Sequence, residues 1–175
     1  MNLRKYIRDI PDFPKKGIVF YDITPMLKAP LASKECFDIL VEEAKKYDFD
    51  LIVSPESRGF LFGPIVANRL GKGFIPVRKP GKLPYETISI SYELEYGHET
   101  LEMHKDAIDK GDKVLIIDDI LATGGTVEAI AKQIETLGAE VVGIVSFMEL
   151  SFLHPRKKLS KYKVSSIIVE ELGEK

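Results

Sequence analysis

Five short runs of almost uninterrupted apolar residues constrain the fold more than any other feature of this sequence. Each run is shorter than a typical helix and is bounded by charged or turn-forming residues. Strands that are buried on both faces of a parallel sheet have this composition. The runs predict strands at residues 51–54, 74–77, 114–117, 141–145 and 164–169.

Helical spacing of apolar residues appears between these runs. It predicts helices over residues 33–47 and 125–137, and a third, weaker helix over 60–70. Ser33 is the expected N-cap of the first helix, and Gly138 is placed to end the second. Strands that alternate with helices predict an α/β fold, with a mainly parallel twisted sheet flanked by helices. Ligands of such folds bind beyond the carboxyl ends of the strands.

Two segments depart from this alternation. Residues 86–104 alternate polar and apolar side chains around Tyr96-Gly97-His98, which predicts an antiparallel hairpin. Residues 9–30 are rich in proline and predict an irregular arm instead of a regular element. A chain of 175 residues suits one domain. We therefore expect residues 1–175 to form a single domain, with residues 1–30 as an N-terminal arm.

Composition excludes several classes of protein. The sequence is 45% hydrophobic and 30% charged, which is ordinary for a globular chain and argues against disorder. It has no run of about 18 apolar residues and no secretory signal at its start, so we expect no membrane partner. Its net charge of −2 is unlike that of a nucleic-acid binder. Its one cysteine, Cys36, cannot build a disulfide framework, so we expect a cytoplasmic protein.

The clearest chemical signal is a turn of small residues after the third apolar run, Ala122-Thr123-Gly124-Gly125-Thr126. Its two glycines permit backbone conformations in which successive N–H groups converge on an anion. The start of the following helix adds positive potential, and the two threonines add hydroxyl donors. This turn predicts a phosphate site.

An acidic pair, Asp118 and Asp119, lies directly before this turn. Carboxylates would repel a bound phosphate, so we expect them to hold something between themselves and the anion. Ribose hydroxyls fit that role, and so does hydrated Mg²⁺. The whole segment therefore predicts a sugar-phosphate site, and it contains neither a Walker loop nor a dinucleotide-binding fingerprint.

The segment resembles the donor-binding motif of the type I phosphoribosyltransferases, which bind 5-phosphoribosyl 1-diphosphate (the donor). The resemblance implies that residues 122–126 cradle the 5′-phosphate and that Asp118 and Asp119 contact the ribose hydroxyls. It implies the donor and leaves the acceptor base open. Residues 11–25, 56–63, 78–84 and 91–97 further resemble, in chain order, four segments of the adenine phosphoribosyltransferase family.

The resemblance implies a base pocket built on the N-terminal arm. Phe20 would stack on one face of adenine and Ile120 on the other. Backbone groups of Val19 and Tyr21 would read the exocyclic amine and a ring nitrogen. The family often has a basic residue in place of Tyr21, and we expect this exchange to be tolerated because the backbone would contact the base. An apolar slot with a few polar backbone groups suits a planar base.

The pyrophosphate group is expected to meet cations from two loops. The resemblance places Ser57, Arg58, Arg78, Lys79 and Lys82 around it, and a guanidinium suits such a polyanion. The implied catalytic residues are Arg58 with Glu95 and Tyr96 of the hairpin 86–104, which would close as a lid. Glu95 would handle the proton on the purine N7, and Tyr96 would shield the reacting carbon or contact pyrophosphate.

These features together imply purine salvage, in which adenine reacts with the donor to give AMP and pyrophosphate. The implied cofactor is Mg²⁺. No residue is assigned as a direct metal ligand. Three alternatives stay open: another purine base (hypoxanthine, guanine or xanthine), a purine-responsive regulator, and synthesis of the donor, for which no ATP site is visible. A homodimer is implied by the resemblance alone. The basic residues near the end are expected to form a solvated face: Arg156, Lys157, Lys158, Lys161 and Lys163.

Overall fold

The computed structural model describes residues 1–94 and 97–171. Five strands form its central sheet: β3 (Leu51–Pro55), β4 (Gly73–Val77), β7 (Lys113–Leu121), β8 (Glu140–Leu150) and β9 (Val164–Glu170). Every neighbouring pair is parallel, and the order across the sheet is β4-β3-β7-β8-β9. The predicted fold class is confirmed.

The packing of β7 explains why the apolar runs lack alternation. Leu115 and Ile117 pack in one core cluster with helices α2 (Pro30–Ala44) and α3 (Gly63–Leu70). Val114 and Ile116 pack in a second cluster with helix α4 (Gly125–Thr136) on the opposite face. All four side chains are fully buried. Each contributes about 1.5–3 kcal/mol from burial, so both faces of this strand must be apolar.

Two predicted helix starts are wrong. The first helix begins at Pro30, so Ala29 and not Ser33 is its N-cap, and the Ser33 hydroxyl donates to the Pro30 carbonyl oxygen. Proline suits the first helical position because its missing N–H would have no partner there. The third helix divides into a 3₁₀ turn over 58–61 and α3 from Gly63. A Cβ atom at Gly63 would overlap the Ser54 side chain, which explains the glycine.

Strand β7 is longer than its apolar run predicts. The run ends at residue 117, but β7 continues to Leu121 because β8 extends beside it. Ile120 is paired with Met148 and Leu121 with Glu149. The acidic pair therefore lies within the strand and not after it.

The prediction of an irregular N-terminal arm is also wrong. Strand β1 (Arg8–Ile10) pairs antiparallel with β2 (Phe20–Asp22), and helix α1 (Thr24–Lys28) follows. Prolines concentrate in the turn between the strands and at the helix start, where no backbone donor is needed. The arm thus presents an ordered strand, β2, to the rest of the protein.

The predicted hairpin is confirmed as β5 (Thr87–Leu94) paired antiparallel with β6 (Gly97–His104). The buried Gln133 of α4 holds its base by donating from Nε2 to the carbonyl oxygens of Ile88 (2.9 Å) and Leu101 (3.3 Å). A short helix, α5 (Pro155–Lys158), lies between β8 and β9. None of the described helices has the length and apolar character to span a bilayer.

The order of the strands decides where a ligand can bind. After β3 the chain turns toward β4, whereas after β7 it turns toward β8 on the other side. The loops that follow these two neighbouring strands therefore diverge and leave a crevice at the carboxyl edge of the sheet.

Candidate active site

The turn over residues 122–126 lines a small cavity of about 80 Å³, together with Asp118, Ile120, Leu121 and Val127. Gly124 has a φ of +87°, the left-handed conformation that glycine adopts without strain. Helix α4 begins at the next residue, so its unpaired N–H groups open toward the cavity. This geometry suits an anion such as phosphate.

Tyr92 of the hairpin reaches this turn. Its hydroxyl oxygen lies 2.8 Å from Glu99 Oε2 and 2.9 Å from Thr126 Oγ1. The tyrosine has one proton, so it donates to the carboxylate and accepts from the threonine. Burial raises the pKa of Tyr92 to about 12, which keeps it protonated. The hairpin is therefore hydrogen-bonded to the predicted phosphate site, a contact that the sequence analysis missed.

Asp118 and Asp119 are both buried, with 9% and 4% of their surfaces exposed. The backbone N–H of Asp119 donates to Asp118 Oδ1 at 2.8 Å. Burial and the neighbouring charge of Asp119 raise the pKa of Asp118 well above its usual range. Two carboxyl groups at a buried position are costly unless donors or cations meet them. Ribose hydroxyls would supply such donors.

Arg58 bridges this acidic pair and the N-terminal arm. Its Nε lies 2.8 Å from Asp119 Oδ2, although the ion pair lacks the alignment of a hydrogen bond. Its Nη1 donates to the Tyr21 carbonyl oxygen at 3.4 Å, and its guanidinium lies 4.9 Å from the ring centre of Phe20. It also lines a cavity of about 250 Å³ with residues 55–59, 118–120 and 126.

The three basic residues of the loop after β4 are held by acids. Buried Glu56 accepts from Arg78 Nε (3.2 Å) and Lys82 Nζ (2.9 Å), and Lys79 Nζ lies 3.4 Å from Glu99. Burial opposes ionisation of Glu56, but these donors outweigh it and hold its pKa below the usual range. Glu56 appeared in the sequence analysis only as part of the segment 56–63. That it holds this loop beside Ser57 and Arg58 was not predicted.

A larger cavity of about 480 Å³ lies on the other side of Arg58. The four residues predicted to contact adenine all line it: Val19, Phe20, Tyr21 and Ile120. The Tyr21 side chain is only 3% exposed and packs in the core, so mainly its backbone faces the cavity. Three lining residues were missed, Leu150, Phe152 and Leu153. Their position in the sequence could have identified them, because they follow the carboxyl end of the strand predicted at 141–145, where ligands of this fold class bind.

The remaining predicted residues are placed as follows. Glu95 and Tyr96 lie outside the described residues, between the ends of β5 and β6. Among residues 1–94 and 97–171, no group of three or more His, Cys, Asp or Glu side chains is arranged to hold a metal ion. The structure thus brings the predicted base, ribose and phosphate residues to one crevice with Ser57 and Arg58. Arg78 and Lys82 lie at its edge through their contacts with Glu56. Their individual roles stay predictions.

A protein-family model and individual proteins of known family are similar to this chain over most of its length. The family model described as "Phosphoribosyl transferase domain" matches residues 25–173. The adenine phosphoribosyltransferase of Kosmotoga olearia is 63% identical over 168 residues, which cover 96% of this chain and 99% of that protein.

Solved structures of adenine phosphoribosyltransferases are similar to this chain in fold as well as in sequence. The adenine phosphoribosyltransferase of Thermoanaerobacter pseudethanolicus is similar with a TM-score of 0.94 and 55% identity, covering 96% of this chain and 98% of that one. The enzyme of Saccharomyces cerevisiae, complexed with an imino-altritol bisphosphate and adenine, has a TM-score of 0.85 and 43% identity, covering 94% and 96%.

Proposed function

This chain belongs to the adenine phosphoribosyltransferases of the phosphoribosyltransferase family, and we propose that the crevice at the carboxyl edge of its sheet is the active site. The enzyme transfers the 5-phosphoribosyl group of the donor to adenine, giving AMP and pyrophosphate in purine salvage.

One observation carries this proposal: the three cavities share walls. The cavity of the turn and the cavity of Arg58 share Asp118, Ile120 and Thr126. The cavity of Arg58 and the large one share Arg58 and Ile120. A base that attacks a ribose carbon must lie within bonding reach of it, so the three subsites must be continuous.

Adenine occupies the large cavity in this proposal. Phe20 and Ile120 hold its faces, and backbone groups of Val19 and Tyr21 meet its polar edge. Phe152 and Leu153 add apolar walls that the sequence analysis did not include. A slot of this kind orients N9 toward the ribose, and such positioning removes much of the entropic cost of reaction.

The donor would lie along the crevice, with its 5′-phosphate on residues 122–126. Its ribose hydroxyls would donate to the buried Asp118 and Asp119, of which Asp119 Oδ2 has no hydrogen-bond donor among the described residues. Hydrogen bonds to charged acceptors are worth about 1.5–3 kcal/mol each. The acidic pair therefore fixes the ribose between the phosphate and the base.

The leaving pyrophosphate would meet Ser57, Arg58, Arg78, Lys79 and Lys82. Negative charge grows on this group as its bond to the ribose breaks, so fixed cations stabilise the transition state more than the ground state. Glu56 supports this arrangement because it holds Arg78 and Lys82 next to the cavity of Arg58.

We assign the proton chemistry to the hairpin. Glu95 would hold the proton at purine N7 while N9 bonds to the ribose, and Tyr96 would shield the reacting carbon. Both follow β5, whose Tyr92 contacts the phosphate turn through Thr126. A hairpin held there would exclude water, which could otherwise replace adenine as the nucleophile.

The chemistry of the crevice fits Mg²⁺ as cofactor. Mg²⁺ prefers oxygen ligands and keeps several waters, and one or two carboxylates with substrate phosphates suffice to bind it. Asp118 and Asp119 offer carboxylates beside the proposed diphosphate position, and the donor's oxygens would supply the other ligands. The bound ion would neutralise charge on the departing pyrophosphate.

We also propose a homodimer. Leu31, Leu61 and Ile65 of the α2–α3 region are large apolar side chains with 73%, 42% and 37% of their surfaces exposed. Large exposed apolar patches mark interaction surfaces, and we propose that these side chains belong to one. Sedimentation equilibrium should give twice the chain mass of 19.7 kDa, and a monomer at micromolar concentration would contradict the proposal.

A cytoplasmic location is proposed on the chemistry of Cys36. This residue is fully buried, and burial raises its thiol pKa to about 12, so it stays a reduced core residue. A protein with no accessible thiol or disulfide needs no oxidising compartment. Fractionation of cells that express the chain should recover it with cytoplasmic markers, and recovery elsewhere would overturn the proposal.

A single assay tests the function against its alternatives. The protein is incubated with the donor, Mg²⁺ and each purine in turn, and nucleotide and pyrophosphate are followed. We expect product with adenine only. Product with hypoxanthine, guanine or xanthine would change the assigned base, and tight donor binding without turnover would favour a regulator. Glu95→Gln should lower turnover by at least about tenfold, typical of a lost acid–base group.

A further inference from the structure

The basic segment after β8 was predicted to be a solvated face, but the structure divides it. Arg156 of α5 donates from Nε and Nη2 to the Glu149 carboxylate, both at 2.9 Å, and from Nη1 to the Val164 carbonyl oxygen at 3.0 Å. The Glu149 side chain is 3% exposed. A bidentate pair to a buried acid fixes geometry, so Arg156 anchors α5 to the sheet.

The anchored helix packs on the turn over residues 122–126. A Cβ atom at Gly124 would lie 3.3 Å from the Pro155 carbonyl oxygen and 3.4 Å from the Leu159 side chain. Leu159 is 1% exposed and belongs to the core cluster of α4. The first turn of α4 and the end of α5 are therefore held together.

Lys158 extends from this helix toward Gly125 of the turn. Its Nζ lies 3.8 Å from the position that a Cβ atom on Gly125 would occupy. Within residues 1–94 and 97–171 this ammonium has no carboxylate within 4.0 Å, whereas nearby Lys161 is paired with Glu135 at 3.1 Å. An exposed ammonium is thus free to meet an anion.

The cavity lacks positive charge of its own. Among its lining residues, 118 and 120–127, no side chain is cationic and Asp118 is acidic. A phosphate monoester carries between one and two negative charges at neutral pH. Backbone N–H groups and the Thr123 hydroxyl can donate to its oxygens, and a neighbouring cation would offset its charge.

We propose that Lys158 binds the 5′-phosphate of the donor and of AMP, as the cationic partner of the turn over residues 122–126. The inference rests on the proposed function, which places the phosphate on this turn. Lys158 should therefore strengthen the binding of ligands that carry the phosphate and leave the binding of the free base unchanged. Lys157, one residue earlier and also exposed, is not among the nearest neighbours of Gly124 or Gly125 and is the matched control.

The test compares wild type with Lys158→Met, Lys158→Arg and Lys157→Met, using calorimetric binding of AMP, adenosine and adenine. We expect Lys158→Met to weaken AMP binding by about tenfold, the effect of one lost charge-assisted hydrogen bond. Affinity for adenosine and adenine should stay unchanged, and Lys158→Arg should retain most of the AMP affinity. The KM for the donor should rise with the AMP dissociation constant, and the KM for adenine should not.

Each remaining outcome bears on one idea. Wild-type AMP affinity in Lys158→Met would overturn the role of Lys158 and leave the phosphate turn in place. An equal loss in Lys157→Met would also overturn it, because the effect would then be a general one of surface charge. If the wild-type protein bound AMP no more tightly than adenosine, the phosphate site itself would be wrong. Thermal denaturation of each variant identifies any loss caused by unfolding.

Discussion

Adding one methyl group to the phosphate turn should separate ligand binding from the stability of the fold. Gly124 and Gly125 are adjacent, but only Gly124 has a positive φ. A Cβ atom at Gly125 would meet nothing closer than 3.6 Å, the distance to Thr123 Oγ1, with Lys158 Nζ and Tyr92 Cδ2 at 3.8 Å. These are ordinary van der Waals distances, so the fold has room for alanine.

Gly125→Ala should therefore fold normally and fail to bind the donor. Alanine is favoured over glycine in helices by about 1 kcal/mol, so the free energy of unfolding should stay the same or rise by up to that amount. The same methyl group would stand between the side chains that surround the proposed phosphate. Losing one or two charge-assisted hydrogen bonds, each worth about 1.5–3 kcal/mol, should weaken donor binding by about tenfold to a thousandfold or more.

Gly124→Ala is the matched contrast. A side chain at its φ of +87° costs about 1–2 kcal/mol, and the new Cβ would lie 3.3 Å from the Pro155 carbonyl oxygen. This variant should therefore lose stability. Urea denaturation and steady-state KM values for the donor and for adenine distinguish the two. A stable Gly125→Ala with a wild-type KM for the donor would refute the phosphate position, and an unfolded one would refute the packing argument.

Three further predictions concern the rest of the crevice. The raised pKa of Asp118 means that the folded state holds this proton more tightly than the unfolded chain, so the free energy of unfolding should fall as pH rises from the unfolded to the folded pKa. Asp118→Asn should flatten that slope in urea denaturation across pH, and an unchanged slope would exclude Asp118 as its source. Gln133→Met removes two hydrogen bonds to hairpin carbonyl oxygens, so amides of β5 and β6 should exchange faster by about tenfold or more, and equal protection would contradict the anchoring role. Phe152→Ala should raise the KM for adenine with little change in that for the donor, and a reversed pattern would remove Phe152 from the base subsite.

The strands of the central sheet were predictable because a strand that is buried on both faces consists of consecutive apolar residues. Val114 to Ile117 are all apolar since successive side chains enter opposite core clusters. The ends of elements were less predictable. Strand β7 continues past its apolar run because β8 pairs with Ile120 and Leu121, and that partner lies more than 20 residues away in the chain. Local composition carries no record of such pairing.

The contrast between local sequence and long-range pairing also explains which site residues could be predicted. Residues 118–126 are contiguous, so their chemistry is visible as one motif. Tyr92, Phe152 and Lys158 come from three separate segments that only the topology brings together. The role of Glu56 depends on which way its side chain points, because it holds Arg78 and Lys82 from a loop more than 20 residues later. No spacing rule in the sequence reports that direction.

The cations of the crevice are paired with its acids, and this has a consequence for binding. Arg58 lies beside Asp119, Arg78 and Lys82 lie beside Glu56, and Lys79 lies beside Glu99. A buried carboxylate without a partner costs several kcal/mol, so the cations beside the Asp119 and Glu56 side chains offset the cost of burying these charges. In the proposed complex the donor brings diphosphate oxygens for Arg58 and ribose hydroxyls for Asp119. Because only such a ligand satisfies both halves of the Arg58–Asp119 pair at once, this pair selects a sugar that carries a polyanion over a simple anion or a simple sugar.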